Sequence, residues 1–172
     1  MKRSLSRKYL PEFVYGGTDG AITTFAIVSG AFGASLSSSV ILILGFANLF
    51  ADGFSMAISN YLSTKSRKEL KNKFSKQLNP KKTALATFIS FFLMGLIPLL
   101  SFVIALLVPI SEQNKFIYSA ILTGFAFLFI GGFKGLIVEK PIGKSAIETL
   151  LIGGIAATLA FGVGYLLRGL VG

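Results

Sequence analysis

The sequence predicts an all-α membrane protein, five transmembrane helices forming a single membrane domain over residues 1–172. Three observations predict this. Hydrophobic residues make up 53% of the chain and charged residues only 14%, whereas a soluble domain carries roughly 25% charged residues. So few charges cannot coat a surface that faces water. Five stretches, 16–36, 40–62, 83–108, 116–138 and 146–167, each supply the roughly 20 mostly apolar residues that a bilayer crossing needs. Finally, the net charge of +10 is distributed with the asymmetry that orients helices in a bilayer.

The elements follow in order. A short basic start carries Lys2, Arg3, Arg7 and Lys8, and a Gly-rich span follows. A tight turn at Ser37-Ser38-Ser39 leads into the second span. The link 63–82 is basic, with Lys65, Arg67, Lys68, Lys71, Lys73, Lys76, Lys81 and Lys82, and ends at Asn79-Pro80. The segment from Pro109 to Lys115 joins spans three and four. Gly135, Pro141 and Gly143 are the breakers between spans four and five, where Lys134, Lys140 and Lys144 lie. Fifteen basic residues thus fall on one side and only Lys115 and Arg168 on the other. This places the N-terminus in the cytoplasm and the C-terminus on the far side.

The charge therefore has a topological explanation, and no nucleic-acid partner is expected. The link 63–82 reads as a solvated extension, with anionic lipid headgroups as its alternative partner. A cleaved leader is disfavoured by Asp19 inside the first apolar run. With no targeting signal evident, the default location is a prokaryotic cell membrane.

The chain has no Cys and no His, which removes the thiolate nucleophile, the commonest general base and the commonest zinc ligands. Gly143-Lys144-Ser145 lacks the earlier glycine of a phosphate-binding loop, since Val138 stands there. Gly162 and Gly164 lack the third glycine of a dinucleotide loop, because position 167 is Leu. No enzyme and no bound cofactor is expected.

Charge inside the spans is confined to Asp19, Asp52, Lys134 and Glu148. The last two lie near cytoplasmic ends, where side chains reach the interface. A carboxylate at mid-span costs several kcal/mol unless it is partnered or hydrated, and it commonly marks an ion path. Asn48, Asp52, Met56 and Asn60 recur every fourth residue, with Ser55 and Ser59 flanking them. They form one polar stripe on an otherwise apolar helix. If the first hairpin turns at Ser37-Ser38, Asp19 stands level with Met56. Carboxylate, amide and hydroxyl oxygens with one thioether suit iron(II) or manganese(II). Asn48, Asn60, Ser55 and Ser59 could instead merely join helices.

Gly16, Gly20 and Gly30, with Gly53 of span two, offer close helix packing, either within one chain or in a homodimer sharing span one. Gly154, Thr158 and Gly162 repeat the spacing in span five.

The stretches from Gly17-Thr18-Asp19-Gly20 to Gly30, and from Gly45 through Ser55-Met56 and Tyr61-Leu62 to Lys65-Ser66, resemble the vacuolar iron transporter (VIT) family. The resemblance implies a five-helix protomer and a homodimer with an ion path between the copies. It implies export of iron(II), and often manganese(II), from the cytoplasm against protons. Asp19 matches the family's pathway aspartate and Met56 its pathway methionine. Asn48 stands where the plant vacuolar type has a glutamate. That type also carries a long acidic metal-binding domain between spans two and three. Here the link is short and basic, with Glu69 its only acid. The alternatives are a scaffold or assembly subunit that transports nothing, or a proton-coupled transporter of another solute, in which Lys134 and Glu148 would matter more.

Overall fold

The computed structural model describes residues 2–70 and 78–170. Lys71, Lys73 and Lys76 of the basic link lie outside the described residues, as do the side chains of Lys2, Arg3 and Arg7. The described residues are helical almost throughout: α1 (Lys2–Gly33), α2 (Ser38–Glu69), α3 (Pro80–Leu96), α4 (Leu100–Ile104), α5 (Glu112–Val138) and α6 (Ile142–Leu167). A 3-10 turn, Ile97–Leu99, joins α3 to α4, and another, Arg168–Leu170, follows α6.

Local chemistry sets the helix ends. α1 stops in a left-handed residue, Ser35, with φ 60°. The Ser35 amide donates to Phe32 O and the Leu36 amide to Ala31 O, which satisfies two carbonyls at the helix end. α5 ends likewise at Glu139, also at φ 60°, with the Lys140 amide donating to Gly135 O. Gly135 and Gly143 therefore break nothing. Both lie inside helices, and only Pro141 marks the junction. α3 begins as its sequence suggests, since the Asn79 side chain caps the Lys81 amide at 3.0 Å and Pro80 takes the first helical position. Ser111 caps α5 through the Asn114 amide.

Two expected boundaries shift. Span three ends at Ile104 rather than 108, and Pro98 interrupts it, because proline cannot donate into the helical ladder. The Ser119 hydroxyl of α5 binds the Pro98 carbonyl at 2.6 Å. The first seven residues of the link 63–82 continue α2, so that part is the expected helix extension.

Four helical stretches are long and apolar enough to cross a membrane: Ser38–Glu69, Pro80–Ile104, Glu112–Val138 and Ile142–Leu170. α1 has the length but not the hydropathy. Gly16, Gly17, Thr18, Asp19, Gly20, Thr23 and Thr24 dilute it. α1 lies against α2, α3, α5 and α6, so it borrows its apolar surroundings from protein. α6 is the outermost helix and buries least.

The glycines make α1 central. A Cβ on Gly16 would strike Ser90 and the Thr87 carbonyl, and one on Gly20 would strike the Phe91 carbonyl. Both glycines bring α1 against the α3 backbone. A Cβ on Gly30 would stand 3.3 Å from the Ala160 carbonyl of α6, and one on Gly53 3.0 Å from the Phe91 ring. Gly16, Gly20 and Gly30 of α1 and Gly53 of α2 are therefore close-packing positions within the chain. The main core cluster joins α1, α2 and the third span through Phe25, Val28, Leu49, Met56, Phe91 and Leu99.

Candidate functional site

The polar groups of α1 and α2 meet along one seam. The Asn48 side-chain amide donates to the Thr23 hydroxyl at 3.2 Å and to the Thr24 hydroxyl at 3.4 Å. Thr23 in turn donates to the Asp19 carbonyl at 2.9 Å. Asp52 lies one turn along α2 from Asn48, and Asp19 one turn along α1 from Thr23. The Asn48–Thr23 bond thus brings the two carboxylates to one level of the seam. Both are only half-buried.

This differs from the expected register. With α1 ending at Gly33 and α2 starting at Ser38, the turn centres on Ser35 and Leu36 rather than on Ser37-Ser38. Facing residues then have numbers adding to about 71, as Asn48 with Thr23 shows. Asp19 consequently stands level with Asp52 and not with Met56. Met56 lies one turn further along the helix, 7% exposed and packed in the main apolar cluster.

The rest of the stripe separates from this seam. Asn60 donates to Thr87 of α3 at 2.8 Å and accepts from Thr64 at 3.2 Å, and Thr64 meets Thr83 at 3.2 Å. That ladder joins α2 to α3. Ser55 and Ser59 are exposed. Lys134 and Glu148 pair with each other across α5 and α6 at 3.7 Å.

Thr23 and Thr24 are the residues that sequence reasoning passed over. Their signal was present, four and five residues beyond Asp19 in the same span. Among the described residues, no three Asp, Glu, His or Cys side chains gather as a metal cluster. The chain presents a pair of acids with amide and hydroxyl oxygens beside them.

The family model described as the VIT family matches residues 10–78 and 67–165. This chain belongs to the VIT family. A protein named vacuolar iron transporter from Toxoplasma gondii is 30% identical over 232 aligned positions, covering 97% of this chain and 77% of that one. A vacuolar iron transporter from Centaurea cyanus is 30% identical, covering 88% of this chain and 85% of its own. Vacuolar iron transporter homolog 4 from Arabidopsis thaliana is 27% identical over 166 positions, covering 90% and 82%. The Toxoplasma alignment exceeds the 172 residues of this VIT chain, so that relative holds additional residues. The family match divides at 67–78, inside the link that the sequence marks as short.

Proposed function

We propose that this protein is a metal-ion transporter carrying iron(II), manganese(II) or both out of the cytoplasm, along a path that opens on the α1–α2 seam. One observation carries the reading: Asp19 and Asp52 stand level with each other, half-buried, with Asn48, Thr23 and Thr24 beside them. Two facing carboxylates repel unless a cation lies between them. Half-exposed carboxylates at mid-span cannot face lipid without a large cost. A second copy of the chain facing the seam would remove both problems, and it would complete an oxygen-rich path with four acids. The names of the relatives support the same cargo.

In this reading α1 is the fifth span, the N-terminus is cytoplasmic and one membrane domain comprises the whole chain. Asp19 and Asp52 attract the partly hydrated ion. The Asn48 carbonyl and the Thr23 hydroxyl replace some of its waters. Met56, one turn nearer the cytoplasm, supplies the soft ligand once its packing opens. Protonation of Asp52 or Asp19 from the far side releases the ion and couples export to protons. Few and weak ligands suit a site that must let go. Ser55, Ser59 and Asn60 lie outside the binding step, and Asn60 serves packing. The cell-membrane location draws no support from relatives named for a vacuole, so the location proposed is an integral membrane one.

The test is uptake of iron(II) and manganese(II) into proteoliposomes. Wild type should accumulate the ions, whereas Asp19→Ala and Asp52→Asn should lose at least tenfold in rate. Uptake by Asp19→Ala equal to wild type would overturn the site. No uptake by wild type, with Asp52→Asn altering only association between copies, would favour the scaffold reading.

A further inference from the structure

A cavity of about 590 Å3 lies where α1 and α6 finish and α5 begins. Small-molecule sites span roughly 300–1,000 Å3, so it has the size of one. Its wall is aromatic, with Phe32 of α1 and Phe161 and Tyr165 of α6 lining it. Phe116 of α5 stacks on Phe32 with ring centroids 4.2 Å apart, which ties three helices into this wall. α1 approaches α6 closely here, since a Cβ on Gly33 would strike the Phe161 carbonyl.

Two opposite charges line the cavity from different elements. Glu112 enters from the first turn of α5 and Arg168 from the turn after α6. They do not neutralise each other. Among the described residues the ion-pair partner of Glu112 is Lys115, at 2.7 Å. The Arg168 guanidinium lies over the Tyr165 ring, 4.3 Å from its centroid. Glu112 accepts from Ser38 and Lys115, which leaves about half of a carboxylate's acceptor positions open. The Arg168 fork keeps donors for a phosphate, whose oxygens it matches in pairs.

A ligand complementary to this cavity carries a phosphate and, a few bonds away, a cationic group with N–H donors. Ethanolamine phosphate has both. Choline has the charge without the donors, and glycerol has no cation. Position favours a lipid over a free solute. The outer face of α6 beside the cavity is apolar and uncovered, with Leu159 66% and Leu166 79% exposed. Tyr and Arg at the end of an apolar helix stand at headgroup depth, and acyl chains held there continue along that face.

We propose that this cavity binds the headgroup of phosphatidylethanolamine, with the phosphate on Arg168 and the ammonium on Glu112. The bound lipid ties the end of α6, the helix that buries least, to α1 and α5. This binding is independent of which ion the protein carries.

The experiment uses the purified full chain in detergent, with dioleoyl lipids added one at a time and the retained lipid counted by native mass spectrometry. Wild type should retain phosphatidylethanolamine at least threefold better than phosphatidylcholine or phosphatidylglycerol. Arg168→Gln should retain at least fivefold less of it, and Glu112→Gln should retain phosphatidylethanolamine and phosphatidylcholine alike. Lys115→Met, which removes the neighbouring ion pair but not the Glu112 carboxylate, should keep the preference. Loss of preference in Lys115→Met overturns the direct role of Glu112. Equal retention of the three lipids by wild type, or unchanged retention by Arg168→Gln, overturns the site. Phosphatidylglycerol retained best overturns the ammonium contact. Free phosphoethanolamine that displaces the lipid at equal concentration assigns the cavity to a soluble ligand and overturns the lipid assignment.

Discussion

Asn48 of α2 donates to the Thr23 hydroxyl of α1 at 3.2 Å, and that bond sets which residues face each other along the first hairpin. It places Asp52 level with Asp19. Replacing Asn48 by Leu removes the bond and leaves two hydroxyls with one partner fewer. Side-chain hydrogen bonds between membrane helices contribute about 0.6 kcal/mol on average. Asn48→Leu should therefore melt only slightly below wild type, while manganese uptake falls by a larger factor. A melt and a rate assay on the same preparation compare the two.

The facing carboxylates make a prediction of opposite sign. With no ion present, Asp19 and Asp52 repel each other. Asp52→Asn should raise the melting temperature of the metal-free protein while lowering ion uptake. Added manganese(II) should stabilise wild type more than the variant. Thermal melts with and without the ion read both effects.

Packing of α1 on α3 depends on Gly20. A Cβ there would strike the Phe91 carbonyl, and backbone cannot swing aside as a flexible side chain can. Gly20→Ala should cost about 1–3 kcal/mol, the usual range for overpacking. At Gly162 a Cβ meets nothing within 4 Å, so Gly162→Ala should change stability by less than about 1 kcal/mol. Denaturation of both variants beside wild type checks the contrast.

At the other end of the hairpin, Ser38 donates to Glu112 Oε2 at 2.6 Å, and Lys115 donates to Glu112 Oε1 at 2.7 Å and to Ser38 at 3.0 Å. Glu112 lies in the polar first turn of α5, ahead of the apolar run. The Lys115 hydrogen bond, helped by Ser38, holds its carboxyl below the ordinary glutamate value. The sign follows: the contact stabilises the fold above that ordinary value and is lost as pH falls through the lowered one. Because Glu112 is exposed, the contribution stays under about 1 kcal/mol. Glu112→Gln should lose that slope in an acid titration of the melting temperature, and Lys115→Met should lose it too.

Much of the helical layout was legible in the sequence, because long apolar runs and the Asn79-Pro80 start are local signals. The ends of α1 and α5 were not. Ser35 and Glu139 take a left-handed conformation that glycine usually fills, so composition gave no warning. Two residues of error at the Ser35 turn were enough to seat Asp19 opposite Met56 instead of Asp52. Asp19, Asp52 and Asn48 could be singled out as candidates because a polar group in an apolar run stands out. The roles of the small residues also needed the third dimension, since spacing alone leaves contacts within and between chains alike.

α1 is the innermost helix and the least apolar, and this bears on biogenesis. The machinery that inserts membrane proteins judges each segment by how well it partitions into lipid. Left to itself, α1 would partition poorly, since Asp19 and its run of glycines and threonines weigh against it. If α1 is the fifth span, as proposed above, that cost favours its entering the bilayer together with α2 as a hairpin. The residues that make α1 useful thus make its arrival in the membrane depend on its neighbour.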